Sequence, residues 1–428
     1  MLNELLKDKY NLTEDVIEYT NRAEEEIKDK FTDIDKITDY NQLKVIAAFQ
    51  NNRISEMHFN TATGYGYDDL GRDTIEKVYA EVFKTEDALV RPQIISGTHA
   101  LTVALSGNLR PGDEILSPAG APYDTLQKVI GIKESKGSLK EYGITYSQVD
   151  LKPDGSFDFD KIESSINDRT KLIAIQRSKG YEFRDSFTIE KIEELIKFIK
   201  GIREDLIIMV DNCYGEFVDY KEPSEIGADL VVGSLIKNPG GGLAPVGGYI
   251  AGKSEYVENA SYRLTVPGQG KEVGPSLGVI KSFYQGLFSA PQVVNSSVKG
   301  ALLASKMFEN LGYETNPKST DKRSDIVQAI RFKNAEKVIA FCQGIQKGAA
   351  IDSHVQPQPW DMPGYDSEVI MAAGAFVQGS SIELSADAPI KEPYDVYLQG
   401  GLNYSHAKLG IMIALQEMIN RNLITIKK

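Results

Sequence analysis

With 428 residues, 41% of them hydrophobic and 25% charged, the chain has an ordinary globular composition. That length calls for two domains, or one large α/β domain with a satellite. A formal charge of −13 excludes the basic face that nucleic-acid phosphates require. No apolar run approaches the roughly 20 residues that cross a bilayer. The segment Met1–Asp8 carries acids where a signal peptide would carry bases, and Cys213 and Cys342 make no disulfide framework, so a cytoplasmic protein without nucleic-acid or membrane partners is expected. His58, His99, His354 and His406 are scattered without a paired ligand spacing, and no metal site is expected.

In chain order, residues 1–55 read as an amphipathic helical arm, with a start signal at Asn11–Asp15 before Val16-Ile17. A glycine- and tyrosine-rich loop follows, Thr61-Ala-Thr-Gly-Tyr-Gly-Tyr-Asp-Asp-Leu-Gly-Arg72, leading into a helix at Asp73. Tyr65, Tyr67 and Arg72 either reach an anion or form an exposed turn with aromatic packing. From about residue 88 to 250, strand-like runs alternate with helices. The runs are Ile115-Leu116, Ile144–Tyr146, Leu172–Ile175, Ile207–Val210, Leu230–Val232 and Tyr249–Ala251. Between them, Ile192, Leu195, Ile196 and Ile199 fall on one helical face. This alternation predicts an α/β fold, a mainly parallel sheet with helices on both faces, in which ligands bind beyond the carboxyl ends of the strands.

Three turns lie at such ends, and a further stretch falls between the first and second of them. Ser96-Gly-Thr-His-Ala100 opens a helix, which makes it either an anion site or a simple Ser cap. In Ala121-Pro-Tyr-Asp-Thr125, Tyr123 is either a ring stacked on a flat cofactor or ordinary packing. Asp211, ending a buried run, pairs with a protonated ring nitrogen or caps the next segment, and Tyr214 is close enough to donate to the same ring. In Asp229-Leu-Val-Val-Gly-Ser-Leu-Ile-Lys-Asn-Pro-Gly-Gly-Gly242, Lys237 sits between a buried strand and a glycine-rich turn. Desolvation there predicts a lowered pKa and a neutral amine able to condense with a carbonyl; the other reading is a lysine that snorkels from a loop. Ser234, three residues earlier, is placed to reach a phosphate. Cys213 reads as a packing residue.

After about 250 the pattern changes. Helices over Gly278–Phe288 and Val293–Leu311 precede a strand at Ile326–Phe332, a helix at Ala335–Gly344, strands near Phe376 and Ile382, and a helix at His406–Asn420. The expected division is an arm at 1–55, a large cofactor-binding domain at 56–285 and a smaller C-terminal α+β domain at 286–428.

An amine, a strand-end acid, an anion cradle and a stacking ring, in this order of turns, are what pyridoxal 5'-phosphate requires. The chain resembles fold-type I pyridoxal-phosphate proteins, and within them the methionine gamma-lyase-related group described as aluminium-resistance or cystathionine beta-lyase-like. The resemblance rests on Gly64–Asp73, Ser96–Ala100, Ala121–Thr125, Asp211–Gly215, Gly233–Gly242 and Gly400-Gly-Leu-Asn-Tyr404. It implies a seven-stranded sheet, Lys237 as the Schiff-base lysine and Asp211 as the partner of the ring nitrogen. It further implies Gly97, Thr98, His99 and Ser234 around the phosphate, Tyr123 and Tyr214 at the ring, and Tyr65 and Tyr67 reaching in from a neighbouring subunit of a homodimer or homotetramer.

The implied activity is carbon–sulfur elimination from a sulfur-containing amino acid, of the methionine gamma-lyase or cystathionine beta-lyase type, with Lys237 and Tyr123 catalytic. An aminotransferase, a decarboxylase and a non-catalytic protein of this fold are the alternatives. One departure stands out. Where related lyases carry a carboxylate-binding arginine in an Arg-x-Ser segment, Ser381-Ile-Glu-Leu-Ser385 has Glu383, and a carboxylate cannot clamp a carboxylate. Either another cation, with Arg177 and Arg263 as the candidates, takes that arginine's place, or the substrate is not a simple amino acid.

Overall fold

The computed structural model of the protein describes residues 1–362 and 367–426. Two units emerge: Tyr40–Gly180 with Ser186–Ala290, and Met1–Asp39 with Tyr181–Asp185 and the chain from Pro291 onward. The segment 1–55 is therefore not a separate arm. Its first 39 residues belong to the unit built mainly from the C-terminal part, and the expected boundary at 285/286 falls at Ala290/Pro291. Helix Ile280–Asn310 is continuous, with Pro291 inside it, where two helices were expected.

The larger unit is built on seven strands: β1 Asp87–Arg91, β2 Glu114–Ser117, β3 Thr145–Gln148, β4 Thr170–Gln176, β5 Ile207–Asp211, β6 Leu230–Ser234 and β7 Gly248–Gly252. Their order is β1-β7-β6-β5-β4-β2-β3. All neighbours are parallel except at β7, which runs antiparallel to β1 and β6. β5 and β6 are buried at every position, which is why their sequences are unbroken apolar runs rather than alternating ones. Helix Ile189–Ile202 turns Ile192, Leu195, Ile196 and Ile199 inward and is capped by Thr188, whose hydroxyl accepts from the Lys191 N–H at 3.2 Å.

The other unit holds an antiparallel sheet of β8 Glu314–Asn316, β9 Gln328–Arg331, β10 Val369–Ala373, β11 Ser385–Pro389 and β12 Asp395–Gln399, in the order β10-β11-β12-β9-β8. Helices Ala335–Gly348 and Tyr404–Asn420 pack beside it. Val16, Ile17 and Ala23 of helix Glu14–Glu26 enter the same core as Phe308, Phe341 and Met412. The strands expected near Phe376 and Ile382 are instead a connection between β10 and β11. There the buried Glu383 carboxylate takes the N–H groups of Phe376 and Val377, each at 2.9 Å, so they do not join a ladder. Among the described residues, no helix is long and apolar enough to cross a membrane.

Candidate active site

β4, β5 and β6 are adjacent and parallel, so their carboxyl ends deliver Arg177, Asp211 and the Lys237 turn to one edge of the larger unit's sheet. Helix Gly97–Asn108 begins against them. A Cβ placed on Gly97 would lie 3.4 Å from Ser234 Cβ and 3.5 Å from Cys213 Sγ, so three segments more than a hundred residues apart in places meet here. Ser96 caps this helix by accepting from the His99 N–H at 3.1 Å. The first-turn N–H groups of Gly97 and Thr98 have no acceptor within the helix, and the helix dipole favours an anion beside them. Ser234, 1% exposed, points a hydroxyl into this region with no hydrogen-bond partner. An unmatched buried hydroxyl at a helix N-terminus is the signature of a site built for an anion.

Lys237 Nζ lies 4.0 Å from the centre of the Tyr214 ring, a cation–π contact. Tyr214 is held at φ 73°, a left-handed conformation uncommon for an aromatic residue, as part of the turn that presents its ring. Burial works to lower the Lys237 pKa, as the sequence suggested. The surrounding Cys213, Tyr214, Asp211 and Tyr123 outweigh it and hold the amine well above its ordinary value. The expectation of a depressed pKa is thus corrected: the acidic neighbours win over desolvation. Asp211 is pushed up by burial and pulled back by Lys237 and the Cys213 N–H, which its Oδ1 accepts at 3.1 Å.

Tyr123 hydrogen-bonds through its hydroxyl to Thr98 Oγ1 at 2.9 Å, and its N–H donates to Gln176 Oε1 at 3.0 Å. Burial and the Asp211 charge raise its pKa, so the phenol keeps its proton. His99 accepts from the Ile95 N–H through Nδ1 at 3.2 Å, and burial lowers its pKa, favouring the neutral ring.

Other residues singled out from the sequence lie elsewhere or do other work. Arg177 is fully buried, and its Nη1 donates to Asn212 Oδ1 at 2.8 Å and to the Gly215 carbonyl at 2.9 Å, 3.8 Å from Glu222 Oε2. Its charge fastens the Asp211–Gly215 turn. Arg263 is exposed near the end of helix Ser254–Leu264. Tyr65 and Tyr67 are exposed and stack on each other at 5.6 Å. Arg72 is buried inside its own loop, donating to the carbonyls of Gly66 at 2.6 Å and Gly274 at 3.2 Å, so it does not project from the molecule as the loop reading suggested.

Sequence reasoning passed over Glu216. Its buried Oε1 accepts from the Tyr249 hydroxyl at 2.9 Å, its backbone carbonyl accepts from Asn238 Nδ2 at 3.0 Å, and its Oε2 has no partner. Burial leads in pushing its pKa up to about 8, so the carboxyl is predominantly protonated at neutral pH directly behind the Lys237 turn. The only signal in the sequence was an acid lying between two buried strands.

The fold is the one found in fold-type I pyridoxal-phosphate proteins. An Escherichia coli protein of that kind, the pyridoxal-5'-phosphate-dependent YhfS, superimposes with a TM-score of 0.61 over 90% of this chain and 97% of its own, at 16% identity, a likeness of fold alone. The chain belongs to the methionine gamma-lyase family, whose model matches residues 16–419. It is similar to a Clostridium novyi carbon–sulfur lyase involved in aluminium resistance, with 54% identity and a TM-score of 0.94 over 97% of this chain and 98% of that one. It is also 53% identical to the uncharacterised Bacillus subtilis protein YnbB, over 91% of this chain and 93% of that protein.

Proposed function

We propose that the chain is a pyridoxal-phosphate-dependent carbon–sulfur lyase acting on a sulfur-containing amino acid. The observation that carries this reading is the meeting of the Lys237 amine, the Asp211 carboxylate and the helix start at Gly97 in one cluster of the larger unit. Membership of the methionine gamma-lyase family supports it, as does the likeness to the Clostridium novyi carbon–sulfur lyase.

The residues present suit the cofactor. Ser234, with its unmatched hydroxyl, and the N–H groups of Gly97 and Thr98 would hold the phosphate. Lys237 would carry the aldehyde, Asp211 would face the ring nitrogen, and Tyr123 would cover the ring. Bound pyridoxal phosphate supplies an electron-accepting ring that eases loss of the α-proton from an attached amino acid.

The chain's own groups then have distinct tasks. Lys237 Nζ takes the α-proton. Tyr123, which keeps its proton, is the acid for the departing sulfur. Neighbouring Thr98 fixes the direction of that hydroxyl. Each turnover breaks one carbon–sulfur bond and releases a thiol, and hydrolysis of the remainder gives ammonium and a 2-oxo acid. The reading includes a homodimer or homotetramer in which Tyr65 and Tyr67 approach a neighbouring copy; their exposure supports it.

The test is release of thiol (hydrogen sulfide in the case of L-cysteine) and 2-oxo acid from L-cystathionine, L-methionine and L-cysteine. Wild type should release both in equal amounts from at least one of them, and Lys237→Ala should release neither. A 2-oxo acid without thiol would indicate transamination, and an amine would indicate decarboxylation; either would displace the lyase reading.

A further inference from the structure

The Lys237 amine and the Asp211 carboxylate must keep a fixed spacing, yet each sits where its strand gives way to a turn. The ladder between β5 and β6 ends with the Asn212 N–H donating to the Val232 carbonyl at 2.9 Å. Past it, the Lys237 turn is closed by long bonds, Lys237 N–H to the Ser234 carbonyl at 3.4 Å and Gly240 N–H to the Lys237 carbonyl at 3.3 Å. Bonds of that length are weak. A shorter one comes from outside the turn: Asn238 Nδ2 donates to the Glu216 carbonyl at 3.0 Å. Glu216 directly follows the Asp211–Gly215 turn, so this bond ties the two turns together.

The Glu216 side chain is fixed in its own right. Its Oε1 accepts from the Tyr249 hydroxyl at 2.9 Å, and Tyr249 pairs across the ladder with Gly233, next to Ser234. A Cβ on Gly233 would lie 2.5 Å from the Tyr249 ring and 2.6 Å from Glu216 Oε1, so ring and carboxyl rest on the β6 backbone. On either side, Tyr214 and Phe217 hold φ values of 73° and 64°. Such conformations persist in aromatic residues only where surrounding contacts hold them, and they gather at functional sites. Arg177 on the Gly215 carbonyl and Glu222 on the Phe217 N–H, each at 2.9 Å, are two of those contacts.

Two buried acceptors are left over. Glu216 Oε2 and Asn238 Oδ1 have no hydrogen-bond partner among the described residues. Neither can serve the other while the carboxyl is ionised, because both only accept. A proton on Glu216 makes its carboxyl a donor, and the residue that its carbonyl already holds carries an unmatched acceptor.

We propose that Glu216 is a positioning residue for Lys237, acting through Asn238 to hold the turn that carries the amine at a fixed distance from Asp211. This role rests on Lys237 as the attachment point of pyridoxal phosphate, and not on which bond is broken afterwards. Burial, with Glu222 adding to it, raises the Glu216 pKa from 4.5 to about 8 against the pull of Tyr249 and Lys237. Tyr249, Tyr79 and Cys213 also face the carboxyl, and burial keeps their protons on; Lys44 and Arg177 act on Glu222. The neutral acid is therefore fully present below pH 4.5 and is lost as pH climbs through about 8, where the tie to Asn238 weakens.

The experiment follows attachment of pyridoxal phosphate to Lys237 in full-length, cofactor-free protein by borohydride trapping, from about pH 6 to about pH 9. At the acid end, Glu216→Gln should attach within about twofold of wild type, while Glu216→Ala and Asn238→Ala should each be about 10-fold slower. The double variant should be no more than about twofold slower than the slower single one, because one residue acts through the other. Toward pH 9 the wild-type rate should fall about threefold or more relative to Glu216→Gln, which cannot ionise. Gly344→Ala, which crowds Ala414 in the smaller unit, should attach at the wild-type rate despite its lower stability.

Equal slowing of Glu216→Gln and Glu216→Ala, multiplied losses in the double variant, or a ratio of wild type to Glu216→Gln that is flat with pH would overturn the positioning role. So would a Gly344→Ala protein as slow as Glu216→Ala. If Glu216→Ala does not fold, the Glu216→Gln ratio and Asn238→Ala decide the matter. Attachment in the expected pattern without thiol release defeats only the lyase reading. Absence of attachment in wild type defeats Lys237 as the attachment point. The tie between the turns is then decided by amide hydrogen exchange across residues 237–242, which Asn238→Ala should speed about 10-fold; unchanged exchange would overturn it.

Discussion

Gly215 shows how a single residue fixes the site. A Cβ there would lie 2.6 Å from Arg177 Nη1, and that guanidinium is buried and tied to Asn212, so it cannot swing away. Gly215→Ala should therefore destabilise the protein by about 1–3 kcal/mol, read by urea unfolding, and weaken cofactor retention by displacing Asp211. Glu216 gives a pH-dependent prediction. Its pKa rises from 4.5 to about 8 on folding, so the protonated acid contributes stability that is present below pH 4.5 and lost as pH climbs toward 8. Glu216→Gln, which is always neutral, should gain on wild type by about 1.4 kcal/mol for each pH unit across that window. A Tm difference between the two that stays flat from pH 5 to about 8 would contradict this. Lys237 and Asp211 were legible in the sequence because each ends an apolar run that announces a buried strand. Glu216 was not, because burial with one carboxyl oxygen unmatched is a property of the folded neighbourhood and leaves no trace in local pattern. Glu383 was read as a missing clamp, when its carboxylate closes a backbone turn seven residues upstream.

Among elements, the pairing of helices Ala335–Gly348 and Tyr404–Asn420 depends on small residues. A Cβ on Gly344 would approach Ala414 Cα to 2.4 Å, so backbone would have to move. Alanine gains about 1 kcal/mol of helix propensity over glycine, but overpacking against backbone costs about 1–3 kcal/mol. Gly344→Ala should be net destabilising, checked by thermal unfolding; a rise in Tm would show that the helices can separate freely. The central strands were readable because burial on both faces makes them continuous apolar runs. β8 and β12 were not, since Glu314–Asn316 is very short and Asp395–Gln399 begins and ends with polar residues that the fold nevertheless buries or pairs. Helix Ile280–Asn310 was read as two pieces because Pro291 usually marks a break.

For the whole molecule, the chain's beginning is needed by its end. Thr13 N–H donates to Gln416 Oε1 at 2.8 Å, Lys408 pairs with Glu24 at 2.7 Å, and Leu12, Val16, Ile17, Ala23 and Ile27 are buried in a core shared with the C-terminal helices. Such contacts span almost the full sequence and could not be read from amphipathic pattern, which shows that a helix has an apolar face but not what covers it. Deleting residues 1–39 should abolish cooperative unfolding of the smaller unit and expose apolar surface, detectable by dye binding; unchanged cooperativity would contradict this packing. The central claim is that the amine at 237 is where pyridoxal phosphate attaches. Borohydride reduction of the protein incubated with pyridoxal phosphate, followed by peptide mass mapping, tests it most directly. The account predicts a single pyridoxyl group, on Lys237, that disappears in Lys237→Ala; a label on another lysine, or none, would contradict it.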